Sequence, residues 1–281
     1  MSGRLDILMV THDQPDYLRL SLPRLLETCD ERMRVWLWHN GTQEETLELS
    51  RSFADDPRVA RFHRSVENVP LREPTNWLFE SSTADYLSKV DDDCLVSPGW
   101  AKTFIAAHED VDRFGAIGSW RFLDEDYRPE LAEPKVKDFP GGHRLLQNMW
   151  VQGSGFVLKR ACIERHGALG PGQTFTKYIV GLSLKGWVNG WYMPFVAEED
   201  MDDPRSPNTR LRTDEDLRAR LPLTARYNGI TTLEEWKEQI VRTALASQAA
   251  TLDHRYYQGW RLKRHNAWLR LKRLAGDTRK W

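Results

Sequence analysis

The chain has 281 residues, 40% of them hydrophobic, enough for one sizeable core or a core with a small appendage. Its 40 basic and 41 acidic residues leave a formal net charge of −1, which excludes a global pull toward nucleic acid. Three scattered cysteines, Cys29, Cys94 and Cys162, exclude a disulfide framework and a zinc-type spacing and read as free thiols.

No run is long and apolar enough to span a membrane, and the opening MSGRLDILMV lacks signal-peptide character, so a cytoplasmic location is expected. The run DILMVT at 6–11 predicts a strand buried on both faces. Asp13 and Pro15 then open a helix whose apolar face is Leu18, Leu22, Leu25 and Leu26. A second strand over 33–38 ends at the turn His39-Asn40-Gly41-Thr42, and a polar helix follows through Leu47 and Phe53. A third strand is predicted over 58–63. A loop with Asn68, Pro70 and Pro74 then leads to a helix near 76–80.

The fourth strand, over 86–90, runs directly into Asp91-Asp92-Asp93. Alternating strands and helices imply a doubly wound, mostly parallel sheet with helices on both faces, whose ligands sit beyond the carboxyl ends of the strands. Three such ends carry polar clusters: Thr11-His12-Asp13, His39-Asn40-Gly41 and Asp91-Asp92-Asp93. Three adjacent carboxylates repel one another, and a divalent cation bridging to phosphates relieves that repulsion. The alternative for the triplet is a solvated acidic turn.

The later chain is less regular. A helix with Trp100, Phe104 and Ile105 follows Pro98, and the Pro/Gly-rich stretch 121–142 reads as a long loop. Residues 150–160 read as a strand opened by Gly153-Ser154-Gly155, and 176–185 as a helix ended by Gly186. An aromatic stretch then exits into the acids of 198–203. The twelve tryptophans read mainly as core.

These strand ends, with VDDDC after strand four, resemble family 2 glycosyltransferases of the GT-A fold. The resemblance covers roughly 5–205. It implies a GT-A catalytic domain over 1–207, with a nucleotide-binding half at 1–100 and an acceptor-side half at 101–207. A helical extension over 208–281 follows.

The implied activity is inverting transfer of a sugar from a nucleotide diphosphate donor to an acceptor hydroxyl. Bacterial surface polysaccharide or glycan assembly is the expected setting. Mn²⁺ or Mg²⁺ is the implied cofactor, with Asp93 and Asp200 as its ligands. Thr11, His12, His39, Asn40, Asn68, Arg72, Asn76, Asp91 and Asp92 fall where the family shapes its donor-nucleotide pocket. His39 stands where the family usually has an Asp. Gly153, Ser154 and Gly155 match its acceptor-side strand, or else mark a strand start that needs glycine.

The family's usual acid pair at a helix start is missing, because 174–177 is Thr-Phe-Thr-Lys. The catalytic base is therefore expected among Glu199, Asp202 and Asp203. That missing pair also supports a second expectation, a catalytically inactive relative that binds sugar nucleotides. A third, a sugar nucleotidyltransferase, lacks the Gly-rich loop after strand one.

Beyond Pro207, Thr232 to Glu235 form a capping box before the stripe Trp236, Ile240, Val241, Ala244 and Leu245. Residues 254–281 hold nine Lys or Arg against the single acid Asp277, with Tyr256, Tyr257, Trp260, Trp268, Leu271 and Leu274 interleaved. This segment reads as a packed helix with a solvated basic face, a dimer contact, or a peripheral contact with an anionic membrane. The expected partners are thus a nucleotide sugar, a glycan or lipid-linked acceptor, and a homodimer mate, with no nucleic acid.

Overall fold

The computed structural model describes residues 3–274. They divide into two compact units, one of residues 3–121 with Lys135–Asp200, the other of Phe122–Pro134 with residues 201–274.

The first unit opens with strand β1 (Leu5–Thr11), helix α1 (Pro15–Glu27), β2 (Met33–His39), α2 (Glu44–Ser52) and β3 (Val59–Arg64). Helix α3 (Arg72–Ser81), β4 (Tyr86–Lys89), β5 (Cys94–Val96), α4 (Trp100–Asp110) and β6 (Phe114–Gly118) follow. Nine strands form one sheet in the order β3-β2-β1-β4-β9-β6-β10-β8-β7, where β7 is Val136–Phe139, β8 His143–Asn148, β9 Phe156–Lys159 and β10 Val188–Met193. The pairings run seven strands in one direction and reverse only β8 and β9. The sheet is mostly parallel, as expected.

The core explains the pattern. β1 and β2 are buried almost throughout, and one side of the sheet packs against the Leu18, Leu22, Leu25 and Leu26 face of α1. The opposite side is an aromatic layer that includes Trp36, Trp38, Phe156 and Trp187. Trp100, Trp120 and Trp191 are also buried. Aromatic burial of this size contributes a large share of the apolar stabilisation.

Several sequence-based bounds shift. α3 starts at Arg72 rather than near 76, because Pro74 lies in its first turn, where a missing N–H costs no helical bond. The stretch 121–142 is not one structureless loop: in the first unit it carries β7, the outer strand beside β8. Strand β9 begins only at Phe156, since Gly155 sits at φ +57° and breaks extended backbone. Helices α6 (Arg160–His166) and α7 (Phe175–Leu184) follow, the latter capped by Thr174. The three-residue strand β11 (Glu198–Asp200) pairs with β5 in a separate ribbon.

In the second unit are α5 (Pro129–Ala132), α8 (Asp214–Arg220), α9 (Leu223–Asn228), α10 (Leu233–Ala249) and α11 (Gly259–Leu274). α10 has the expected capping box, in which Thr232 accepts from the Glu235 amide and buries Trp236, Ile240 and Ala244. Gln248 ties α10 back to its own unit, accepting from the Arg128 amide at 2.6 Å and donating to the Asp126 carbonyl at 2.9 Å. No helix among the described residues is long and apolar enough to cross a membrane.

Candidate active site at the strand ends

β1, β2 and β4 are parallel neighbours, so residues 11–13, 39–41 and 91–93 emerge at one edge of the sheet. From that edge the chain turns through Asp91-Asp92-Asp93 into β5. Antiparallel pairing of β5 with β11, with Asp200 opposite Cys94 and Glu198 opposite Val96, returns the distant acidic stretch to the triplet. Side chains alternate along a strand, so Glu198 and Asp200 share one face of the ribbon and Glu199 takes the other.

The three aspartates of the triplet have different tasks. Asp92 is buried, and its carboxylate accepts from the His12 amide at 2.8 Å, while its carbonyl accepts from Ser21 Oγ at 2.7 Å. It fastens the loop after β1. Burial, with Asp93 next to it, raises its pKa well above its ordinary value.

Asp91 pairs with Lys89. Asp93 is part-buried among acids: burial first, then Asp91 and Asp200, pushes its pKa up to about 6. Ligand atoms of Asp91, Asp93 and Cys94 all lie within 4.8 Å of one another. Burial and Asp93 hold the Cys94 thiol protonated, so it is a poor ligand. The two carboxylates suit a hard oxygen-seeking cation, and the repulsion that raises Asp93 is what such a cation would relieve.

Two further residues belong to this cluster. Arg121 forms an ion pair with Asp200 and lies close enough to Asp93 and Glu198 to influence both. Glu198 is buried beside Gly155. Its Oε1 accepts from Ser154 Oγ at 2.5 Å, and Ser154 Oγ in turn accepts from the Asp91 amide at 3.0 Å. Burial lifts Glu198 to about 7, against the pull of Ser154 and Arg121.

The sequence points to the acidic stretch 198–203 without singling out Glu198 within it, and it does not point to Arg121. Period-two alternation across Glu198-Glu199-Asp200 could have flagged the first, whereas a lone Arg121 carries no signal. The 153–155 turn is a supporting element: a Cβ on Gly155 would lie 2.5–2.7 Å from the Glu198 carboxylate, at a φ that disfavours side chains. Gly155→Ala should therefore destabilise the protein by about 2–4 kcal/mol, measured by denaturant unfolding. An unchanged midpoint would refute this packing.

On the nucleotide side the residues separate into two groups. His12, Asn40 and Asn68 come together: Asn68 Nδ2 lies 3.0 Å from His12 Nε2, and Asn40 donates to Asn68 Oδ1 at 2.9 Å and to the Val69 carbonyl at 2.8 Å. Asp13, at φ +41°, accepts from the Thr42 and Gln43 amides and closes the turn after β2. Arg72, part-exposed, begins α3.

Thr11 and His39 instead face each other in the interior. Thr11 Oγ1 lies 2.9 Å from His39 Nδ1 and 3.1 Å from Ser50 Oγ, and burial lowers the His39 pKa. Their parallel register places them side by side, and their side chains hydrogen-bond to each other in the interior. Asn76 likewise spends both amide atoms on Leu169, at 2.9 and 3.0 Å.

In the second unit, Asp203 is held by Arg205 at 2.7 Å, and Arg205 also binds Asp126 at 2.8 Å. This network holds the Asp203 carboxylate in an ion pair. Asp202 is buried, and its carbonyl accepts from Trp236 Nε1 at 2.7 Å.

This helix-flanked, mostly parallel sheet matches the GT-A fold of solved glycosyltransferases. The chain matches the model of glycosyl transferase family 2 over residues 6–166 and belongs to that family. Among solved structures it is similar to the mannosyltransferase PcManGT from Pyrobaculum calidifontis in complex with GDP-Man and Mn²⁺. The two share 15% identity and a TM-score of 0.58, over 99% of this chain and 84% of that one. It is also similar to GalNAc-T7 with UDP, GalNAc and Mn²⁺, at 11% identity and a TM-score of 0.56, over 70% of this chain and 44% of that one. No curated protein matches it in sequence.

Proposed function

We propose that this glycosyltransferase moves a sugar, with inversion, from a nucleotide diphosphate donor to the hydroxyl of a glycan or lipid-linked acceptor. Polysaccharide assembly at the inner face of a membrane is the setting of this reading, and a homodimer its simplest assembly. One observation carries it: β5–β11 pairing brings Asp200 close enough to Asp93, which also has Asp91 beside it, for both carboxylates to raise its pKa. The Mn²⁺ in both similar structures, beside GDP-Man in one and UDP in the other, supports a divalent cation here, Mn²⁺ or Mg²⁺.

Asp91 and Asp93 would hold the cation, with Asp200 as the third acid. Bound there, it supplies positive charge to the diphosphate as the glycosidic bond breaks. His12, Asn40 and Asn68 form one polar network that borders the donor, and Arg72 at the start of α3 offers charge to its phosphates. Gly153 borders the acceptor side in this reading, and Ser154 braces Glu198 behind it.

The proton of the acceptor hydroxyl goes to an acid of 198–203. Glu199 points across the ribbon and Asp203 is committed to Arg205, so Glu198 and Asp202 are the two assignments. Glu198→Gln and Asp202→Asn separate them. The variant that loses about 10²–10⁴ in kcat while keeping nucleotide affinity identifies the base. Full activity in both would refute the assignment.

A second reading has a specific basis, since α7 starts on a Thr174 cap without an acid. In that reading the chain binds nucleotide sugars and does not turn them over. Mn²⁺-dependent hydrolysis of a UDP- or GDP-sugar by the wild-type protein decides for the enzyme, and tight binding without hydrolysis decides for the inactive relative.

A further inference from the structure

Helix α11 carries a surface that the transfer site does not use. Trp260, Arg264, Ala267, Trp268 and Leu271 follow helical spacing and lie on one face. Its large side chains are exposed: Trp260 is 63% exposed, Trp268 46% and Leu271 64%. Large apolar side chains grouped on one exposed face mark an interaction site, whereas scattered ones do not.

The preceding turn adds Tyr256, 50% exposed. Together Tyr256, Trp260, Arg261, Arg264 and Trp268 line an open cavity of about 550 Å³. The arginines lie against the rings: Arg261 is 5.4 Å from the Tyr256 centroid and 5.8 Å from that of Trp260, and Arg264 is 5.9 Å from Trp260. Stacked guanidinium groups of this kind keep donors available at their edges.

We propose that this aromatic and arginine-lined face docks on an anionic phospholipid bilayer. Charge argues for the partner. Residues 254–281 hold nine Lys or Arg and one acid, leaving 31 basic against 40 acidic residues in 1–253. The chain is neutral overall but strongly polarised, and its cationic end is the end with exposed Trp and Leu. Asp253 screens Arg255 at 2.7 Å and reaches Arg261 only at 3.9 Å.

The mixture of side chains separates a bilayer from other anionic partners. Trp and Tyr rings favour the headgroup boundary, where one part of the ring is apolar and the other wet. Leu271 gains from the acyl region and gains little on a nucleic acid backbone. A second copy of the same helix would bring like charge against like charge. The inference deepens the membrane setting proposed above and does not depend on the transfer chemistry.

The test is flotation of the full chain with vesicles of phosphatidylglycerol and phosphatidylcholine, against vesicles of phosphatidylcholine alone. Binding to the anionic vesicles at low salt, lost at high salt, is expected. Trp260→Ala with Trp268→Ala, and separately Arg261→Glu with Arg264→Glu, should each weaken it about tenfold or more. Both variants should keep wild-type Tm and Mn²⁺-dependent nucleotide binding, which separates this proposal from the reaction.

Absence of binding to anionic vesicles at low salt overturns the proposal. So does binding unchanged in both variants, or equal affinity for single-stranded nucleic acid. A change confined to oligomeric state, read by light scattering, assigns the face to self-association and also overturns it.

Discussion

Asp93→Asn is expected to stabilise the metal-free protein and to abolish its metal-dependent binding of nucleotides. The two effects share one cause. Burial and the adjacent carboxylates Asp91 and Asp200 raise Asp93 to about 6, from an ordinary 3.8. A carboxyl whose folded pKa is raised favours folding below its unfolded value, and that contribution is lost as pH rises through the folded value. Between about pH 4 and pH 6 the metal-free protein should therefore lose stability as Asp93 is forced to ionise.

The amide removes that penalty. At one pKa unit per 1.36 kcal/mol the gain is at most on the order of 3 kcal/mol, or about 5 °C in Tm. Glu198, lifted to about 7, extends the same slope toward neutrality. Thermal melts at pH 5 and pH 8 in EDTA, wild type against Asp93→Asn, measure this directly. Equal stability of the two proteins at pH 8 would remove the claim that like charges crowd here. Adding Mn²⁺ should raise the wild-type Tm by linkage and leave the variant unmoved.

Arg121→Ala should act in the opposite direction. Its guanidinium pairs with Asp200 and is only 24% exposed, while the Asp200 side chain is 5% exposed. Removing one member of a buried pair leaves the other charge uncompensated, at a cost of about 3–5 kcal/mol. Asp93 and Glu198 lose the same positive neighbour. The metal-free variant should unfold at markedly lower urea concentration than wild type.

Excess Mn²⁺ should restore part of this loss, because it supplies positive charge to the same carboxylates. Arg121→Ala combined with Asp200→Asn should be milder than Arg121→Ala alone. An Arg121→Ala midpoint that Mn²⁺ does not shift would contradict a cation among Asp91, Asp93 and Asp200.

The strands of the parallel half were readable because burial on both faces leaves an unbroken apolar run. LDILMVT and MRVWLWH are such runs, and polar residues at their ends mark where the sheet stops. The Asp triplet was readable for the same reason. What was hidden depended on pairing between distant segments. β11 is three acidic residues with no apolar signature, and only its pairing with β5 reveals that Glu198 and Asp200 face together.

The nucleotide-side residues show the same limit. Thr11 and His39 look like pocket residues by position, but the β1–β2 register and Ser50 of α2 turn them into each other. Asn76 looks similar on α3, yet it binds Leu169, 93 residues away. Arg121 acts through neighbours from β4 onward and from β11, none of which is near it in sequence.

Calorimetric titration of Mn²⁺ into the protein with GDP or UDP present measures the central claim most directly, on wild type and Asp93→Asn in parallel. Nucleotide affinity that appears only with Mn²⁺ in the wild type, and vanishes in Asp93→Asn, is the predicted result. Equal nucleotide affinity in EDTA, or an Asp93→Asn protein that binds Mn²⁺ and nucleotide as the wild type does, would contradict it.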